Sequence, residues 1–331
     1  MKPPILFAMP ISPRLRDRLS DRYELFGPLD RAKPLPLPPG AEKARALITL
    51  GSLKTDVAMM DALPDLGLIS CYGTGFEGVD RAEAARRGIR MTHAGEANAT
   101  AVAEFAMGLV IAAGRNLVRG DRVVRAGKWA SLSLDRVPLT PGLAGQKLGI
   151  WGLGSIGLKI ARRAAAFEME IGYHNRRRRD DVDYTHLGSL KALAEWSDVL
   201  VVGVRANAEN RHAINAEILD ALGPQGVLVN ISRGVVVDET ALCEALEQNR
   251  ILGAGIDVYE NEPHVSERLR PAGECGADAP YGRLLARRAD GAAEGGDRES
   301  RRLLRGPVAA LAHAARLIPC IADRRHLSDR S

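Results

Sequence analysis

The stretch from Gln146 to Asn175, QKLGIWGLGSIGLKIARRAAAFEMEIGYHN, constrains this chain more than any other. Leu148 to Trp151 is a short apolar run of strand character, and it leads directly into Gly152-Leu153-Gly154-Ser155-Ile156-Gly157. Leu158 to Phe167 continues as an Ala/Arg/Ile helix, and a second strand follows at Met169 to Tyr173. Strand, G-x-G-x-x-G, helix and strand in one short unit predict a dinucleotide-binding turn. Gly152 permits the tight turn, Gly154 lets the backbone approach a pyrophosphate, and Gly157 lets the helix sit close on the strand. The start of that helix, at Ser155 and Ile156, offers free N–H groups and the positive end of its dipole to the phosphates.

The end of the second strand bears on which dinucleotide is bound. An acidic residue there would hold the ribose 2′-hydroxyl of NAD. Asn175 stands there instead, followed by Arg176, Arg177, Arg178 and Arg179. No carboxylate repels a 2′-phosphate, and guanidinium forks match its geometry. A charge run is otherwise a solvated basic turn. The missing acid and the added arginines together favour NADP(H) over NAD.

With 331 residues the chain is long enough for two domains and a substantial core. Its 46% hydrophobic and 26% charged content is ordinary for a soluble globular protein. Cys71, Cys243, Cys275 and Cys320 are scattered, with no C-x-x-C, so neither a disulfide framework nor a metal site is expected, and a reducing cytoplasm fits. The apolar run after Met1-Lys2-Pro3-Pro4 is too short for a secretory signal. The most apolar helical stretch, Phe105 to Gly114, ends at Arg115 and is too short to span a bilayer. The net charge of +5 does not point to nucleic acid. From His264 onward there are thirteen Arg and no Lys against five Asp and four Glu, so the excess sits in the tail, without interleaved aromatics.

In chain order, Pro4 to Met9, Ala46 to Thr49, Leu66 to Cys71 and Ile89 to Thr92 read as strands. Helical patterns lie between them at Ser12 to Ser20, Thr55 to Leu63 and Asp80 to Arg87, with a proline-rich loop at Lys33 to Gly40. Alternating strands and helices imply a parallel sheet covered on both faces. One long helix is expected from Thr100 toward Arg125, with Glu104 and Arg115 as ordinary helix-face or interdomain charges without a catalytic role. Beyond the glycine unit come strands at Asp198 to Val204, Val227 to Ile231 and Leu252 to Val258, and helices at Asn215 to Leu222 and Asp238 to Gln248. Ligands of open parallel sheets sit outside the carboxyl ends of the strands. Gly152 to Gly157, Asn230 to Gly234 and Asp257 to Glu262 all fall there.

Four motifs follow one another along the chain: Tyr72-Gly73-Thr74-Gly75-Phe76, the glycine turn, Asn230-Ile231-Ser232-Arg233-Gly234, and Gly255-Ile256-Asp257-Val258-Tyr259-Glu260-Asn261-Glu262-Pro263. In order and spacing the chain up to about Pro263 resembles the D-2-hydroxyacid dehydrogenase family, most of all its NADPH-dependent glyoxylate/hydroxypyruvate reductase branch. The resemblance implies an α/β fold of two Rossmann-like, doubly wound parallel-sheet domains. Residues 1–98 would form a flavodoxin-like substrate domain and residues 99–264 the NADP-binding domain. It also implies a homodimer, seated on the long helix after Thr100. In the implied roles, the N–H groups of Thr74 and Gly75 hold a substrate carboxylate, and Arg233 binds the carboxylate and keto oxygen. Asp257 contacts the nicotinamide carboxamide, and Glu262 raises the pKa of a histidine that protonates the alkoxide.

The chemistry asks for such groups on its own terms. Hydride addition to a 2-keto acid builds negative charge beside an existing carboxylate, and a fixed cation stabilises it. The alkoxide then needs an acid with a pKa near neutrality, for which histidine is suited. The bland reading of Arg233 is a strand-end salt bridge, but its place at a carboxyl end beside a glycine favours function, whereas Glu262 taken on sequence alone reads as an exposed residue before a proline.

The tail departs from the family. The family's histidine lies in a Pro-His pair at the end of a further strand. Here His264 follows Pro263 at once, too close to Glu262 to serve as its partner, while His313 and His326 follow no apolar strand. His93, His174, His186 and His212 read as surface or turn residues. From Val265 to Ser331 the β-branched residues are Val265, Val308, Ile318 and Ile321 alone, too few for a buried strand. Residues 265–331 are therefore read as a frameshifted or otherwise aberrant C-terminus, the competing reading being a disordered extension. The expected function is NADPH-dependent reduction of glyoxylate or hydroxypyruvate, impaired by loss of the histidine. The alternatives are an NAD-linked dehydrogenase of the phosphoglycerate type and a catalytically silent dinucleotide-sensing binder, like the family's transcriptional corepressors.

Overall fold

The computed structural model describes residues 2–128, 140–262, 264–269 and 284–286. The chain divides into two compact units, one running to Asn98 and the other beginning at Ala99.

In the first unit, strands β1 (Pro4–Phe7), β2 (Glu24–Phe26), β3 (Ala46–Thr49), β4 (Leu68–Cys71) and β5 (Arg90–His93) form a parallel sheet. Their order is β2-β1-β3-β4-β5. Strands β3 and β4 are buried along their whole length, as the interior of a two-sided parallel sheet requires. Helices α1 (Pro13–Ser20), α2 (Val57–Asp61) and α3 (Arg81–Arg86) each start from a side-chain cap. Ser12 accepts the Leu15 N–H, Asp56 the Met59 N–H and Asp80 the Glu83 N–H. Leu6, Leu47, Ile69 and Met60 fill one face of this sheet, and Ile5, Ile48 and Leu68 the other.

The second unit opens with α4 (Ala99–Gly114) and α5 (Leu117–Arg125). The single long helix expected here is two helices. Their axes bend by 61°, and Asn116 sits between them in the left-handed region at φ 51°. No single helix among the described residues is long and apolar enough to cross a membrane. Ala103, Ala106 and Val110 of α4 are fully buried in the core of this unit.

Strands β6 (Lys147–Trp151), β7 (Glu170–His174), β8 (Thr185–His186), β9 (Val199–Val202), β10 (Val227–Asn230), β11 (Gly253–Ile256) and β12 (Leu284–Ala286) form a second parallel sheet. Their order is β12-β11-β10-β9-β6-β7-β8, which numbered within the unit is the doubly wound 3-2-1-4-5-6 with one strand added. Helices α6 (Ser155–Ala165), α7 (Leu190–Trp196), α8 (Ala216–Leu222) and α9 (Glu239–Glu247) connect them. The order reverses between β9 and β6, which is where a ligand crevice belongs in such a sheet.

Strand β12 corrects one expectation. No strand was expected beyond Pro263, yet Leu284 pairs with Ala254 and Ala286 with Ile256 on the outer edge of β11. An edge offers open backbone donors and acceptors, so three residues can pair there without a β-branched run. The rest of the proposed aberrant tail, apart from His264 to Leu269, lies outside the described residues.

Candidate active site

The glycine turn follows β6 at the reversal point. Gly152 has φ +104°, and a Cβ on it would lie 2.8 Å from the backbone of Gly203 and Val204, just past β9. Only glycine meets both conditions. A Cβ on Gly157 would lie 2.6 Å from the Gly152 carbonyl oxygen and 3.2 Å from Ile150 Cγ2, so α6 rests directly on β6. Gly154 differs from both: a Cβ there would meet nothing within 4 Å. It is the N-cap of α6 and has no capping side chain, so the first N–H groups of the helix have no side-chain acceptor there. This is the arrangement that admits a pyrophosphate, and the turn fits a dinucleotide on that ground.

At the end of β7, Asn175 turns back onto the glycine turn. Its Oδ1 accepts the Leu153 N–H at 2.7 Å. Arg179 does the same from further along, donating Nη1 to the Leu153 carbonyl at 3.0 Å while its Nε donates to Asp181 Oδ1 at 2.8 Å. The pair holds the Asp181 carboxyl below its usual range, chiefly through the side-chain hydrogen bond from Arg179. Arg176, Arg177 and Arg178 are exposed.

Strands β10 and β11 end side by side. The Asp257 N–H donates to the Asn230 carbonyl at 3.0 Å, and Asn230 Nδ2 donates to the Arg233 carbonyl at 3.2 Å. Buried Asn230 also accepts at Oδ1 from the Ser232 N–H and hydroxyl, which shapes the turn that presents Arg233. The Arg233 side chain is half-buried, with Nη1 donating to the Ser232 carbonyl at 2.7 Å. A Cβ on Gly234 would lie 1.8 Å from the Tyr259 carbonyl carbon, so the loop after β11 packs against the Arg233 turn with no room for a side chain. On that loop Glu262 is exposed and its Oε1 accepts the Tyr259 N–H at 3.1 Å. The Tyr259 hydroxyl, next to these acids, is pushed up to about 12, first by burial and then by Glu239, Asp257 and Glu262.

The glycine turn, Arg233, Asp257 and Glu262 thus share the carboxyl edge of one sheet. Thr74 and Gly75 belong to the other unit, where they follow the carboxyl end of β4. That loop is fixed by a close approach: a Cβ on Gly51 would lie 1.8 Å from the Gly75 carbonyl oxygen. Among the described residues the N–H groups of Thr74 and Gly75 have no hydrogen-bond acceptor. The linkage of His212 to the loop after β11, Nε2 to Glu260 Oε1 at 2.8 Å, carries no local sequence signal. His212 read in sequence as a surface or turn residue, and it lies in a turn.

Comparisons with known proteins agree with this geometry. Residues 107–275 match the family model for the D-isomer specific 2-hydroxyacid dehydrogenase NAD binding domain. The chain is 39% identical over 269 residues to hydroxyphenylpyruvate reductase of Plectranthus scutellarioides, covering 80% of this chain and 84% of the relative. It is 37% identical over 266 residues to a glyoxylate/hydroxypyruvate reductase of Arabidopsis thaliana, with the same coverage of 80% and 84%. Among solved structures, the NADPH-dependent glyoxylate/hydroxypyruvate reductase of Sinorhizobium meliloti, in complex with NADP and malonate, superposes with a TM-score of 0.79. It is 35% identical, and the match covers 94% of this chain and 91% of that one. With its doubly wound sheets, its open glycine turn and these relatives, the chain belongs to the D-isomer specific 2-hydroxyacid dehydrogenase family.

Proposed function

We propose that the chain is built for NADPH-dependent reduction of a small 2-keto acid, glyoxylate or hydroxypyruvate, to the D-2-hydroxy acid. The observation that carries this reading is the open start of α6 at Gly154, a phosphate cradle at the sheet's reversal point. NADPH, when bound, supplies the hydride. Gly152, Gly154, Ser155, Ile156 and Gly157 hold the diphosphate. Asn175 fixes the turn, and Arg176 and Arg177 take the 2′-phosphate. Asp257 holds the carboxamide. Arg233 neutralises charge as it grows on the keto oxygen, the N–H groups of Thr74 and Gly75 hold the carboxylate, and Glu262 orients the acid that protonates the alkoxide. The reading includes residues 1–98 as substrate domain, residues 99–264 as cofactor domain, a homodimer, and a cytoplasmic setting in which the cysteines stay thiols.

The same proposal extends to the tail. The acid that Glu262 would orient is missing from this reading frame, and the neighbouring frame can encode it. Each triplet shifted forward by one nucleotide joins the last two bases of one codon to the first base of the next. From Gly273 to Tyr281 the shifted triplets admit, in order, Glu, Asn, Val, Val, Leu, Thr, Pro and His. Between Pro271 and Gly282 none of them can begin with T, so no stop codon arises. A β-branched apolar run that closes in Pro-His is the element the tail lacks. Residues from about 265 are thus proposed to be out of register by one nucleotide. A second reading, a silent dinucleotide binder, is favoured by the same missing histidine.

Fluorescence titration with NADPH and NADH, followed by turnover on glyoxylate and hydroxypyruvate, tests the proposal. The chain should bind NADPH in preference to NADH and turn over poorly. A gene with one nucleotide deleted ahead of the Pro271 codon should gain roughly 10²- to 10⁴-fold in turnover. Absence of NADPH binding would overturn the reductase reading. Binding with no turnover from either gene would favour the silent binder. A coding sequence whose shifted frame lacks the histidine codon would remove the frame explanation alone.

A further inference from the structure

Glu260 lies between the groups assigned to chemistry and has no role among them. Its Oε1 accepts from Arg211 Nη2 at 2.6 Å and lies 2.8 Å from His212 Nε2. Its own N–H donates to Glu239 Oε1 at 2.6 Å, at the start of α9. Two separate segments therefore converge on one residue. Arg211 and His212 come from the loop before α8, which is itself stitched to the Arg233 turn. The His212 N–H donates to the Val235 carbonyl at 2.8 Å and the Ile214 N–H to the Val236 carbonyl at 3.0 Å. The backbone at Tyr259 and Glu260 presses on Gly234, where a Cβ would lie 1.8 Å from the Tyr259 carbonyl carbon and 2.1 Å from the Glu260 nitrogen.

This arrangement is more than surface ion pairing. The Glu260 side chain is only 18% exposed, so a carboxylate that lost both partners would stay largely out of water and unsatisfied. His212 also adopts a left-handed backbone, φ 51°, which an ordinary loop residue avoids unless its contacts hold it there. Asp257 lies three residues before Glu260 and Glu262 two after it, so whatever fixes Glu260 fixes both.

We propose that Glu260, gripped by Arg211, His212 and Glu239, is a positioning residue that holds the Asp257-to-Glu262 loop against the Arg233 turn. It touches neither cofactor nor substrate and acts through Asp257 and Arg233. The cofactor consequence rests on the reading given under Proposed function, in which Asp257 meets the nicotinamide end. Loss of the latch then weakens binding at that end and leaves the adenine end alone.

Two measurements on the full chain and its Glu260→Ala and Glu260→Gln variants test this. Hydrogen–deuterium exchange without ligand should rise about tenfold at residues 257–262 and 233–236 in Glu260→Ala, with β6 and β9 unchanged and partial recovery in Glu260→Gln. Uniform or absent change would overturn the latch. Titration with NADPH should weaken about tenfold in Glu260→Ala, while 2′,5′-ADP, which lacks the nicotinamide, binds as before. Parallel weakening of both ligands would mean a general loss of structure and would also overturn it. If Glu260→Ala does not fold, Arg211→Ala removes one cation and carries the same expectations. Failure of the parent chain to bind NADPH would count against the reductase reading only, since the exchange experiment needs no ligand.

Discussion

Asn175 closes on Leu153: its Oδ1 accepts the Leu153 N–H at 2.7 Å across 22 residues of sequence. The end of β7 is thereby tied to the middle of the glycine turn. The residue standing where an acid would meet a ribose hydroxyl instead braces the glycine turn. The neighbouring Arg176 and Arg177 remain exposed beside it.

Replacing Asn175 by Asp separates bracing from charge. An aspartate can still accept the Leu153 N–H, so the turn should hold and the melting temperature should stay close to the parent's. Its charge would oppose a 2′-phosphate, weakening NADPH about tenfold while NADH is unchanged or improved. Equal losses for both nucleotides in a fluorescence titration would show that Asn175 acts only as a brace.

The three glycines of the turn make distinguishable predictions. Gly157→Ala drives a methyl to 2.6 Å from the Gly152 carbonyl oxygen and should destabilise the fold by about 1–3 kcal/mol. Gly154→Ala meets nothing within 4 Å, and the residue's φ of −90° suits any side chain. That variant should unfold like the parent in urea, yet lose NADPH affinity about tenfold or more, because its methyl stands in the phosphate's space. Unchanged affinity in Gly154→Ala would take the phosphate away from this turn.

What was legible in the sequence followed from local rules. Gly152, Gly154 and Gly157 announce themselves by spacing, and the structure gives each its own reason. Expected helix starts at Ser12, Asp80, Asn215 and Asp238 are the cap residues themselves, so those boundaries moved by one residue. Elements that depend on distant partners were not legible. Strand β8 has two residues and exists only because β7 offers an edge. Helix α7 buries only Leu193 and Ala194, too little for a periodic signal. The His212–Glu260 link spans 48 residues and follows no motif. Strand β12 likewise needs the open edge of β11.

Glu239 gives a pH-dependent prediction. Burial raises its carboxyl pKa and the charge on Glu260 adds to this, while the Glu260 N–H and His212 oppose it. A carboxyl whose folded pKa lies above its unfolded value favours folding below the unfolded pKa and loses that contribution as pH rises through the folded pKa. Glu239→Gln stays neutral and keeps an acceptor oxygen for Glu260. Its melting temperature relative to the parent should therefore climb as pH rises past the ordinary glutamate pKa of about 4.3 and level off above the raised folded pKa. A difference that is flat with pH, or falls, would mean that the attraction to His212 outweighs burial.

The break between α4 and α5 yields a prediction about stability alone. Asn116 holds φ 51° and is 6% exposed, and among the described residues neither Nδ2 nor Oδ1 of its amide has a hydrogen-bond partner. Asparagine tolerates the left-handed region better than most residues, but glycine enters it freely. Removing an unpaired buried amide should gain about 1–3 kcal/mol, against about 0.5–1 kcal/mol for the added freedom of glycine in the unfolded chain. Asn116→Gly should thus stabilise the second unit by about 1 kcal/mol, read as a higher urea midpoint with an unchanged slope. Asn116→Ala also removes the amide but keeps a Cβ in the left-handed region, a strain of about 1–2 kcal/mol that cancels the gain. A glycine variant less stable than the parent would mean that the bend is held by contacts of the Asn116 side chain rather than by its backbone.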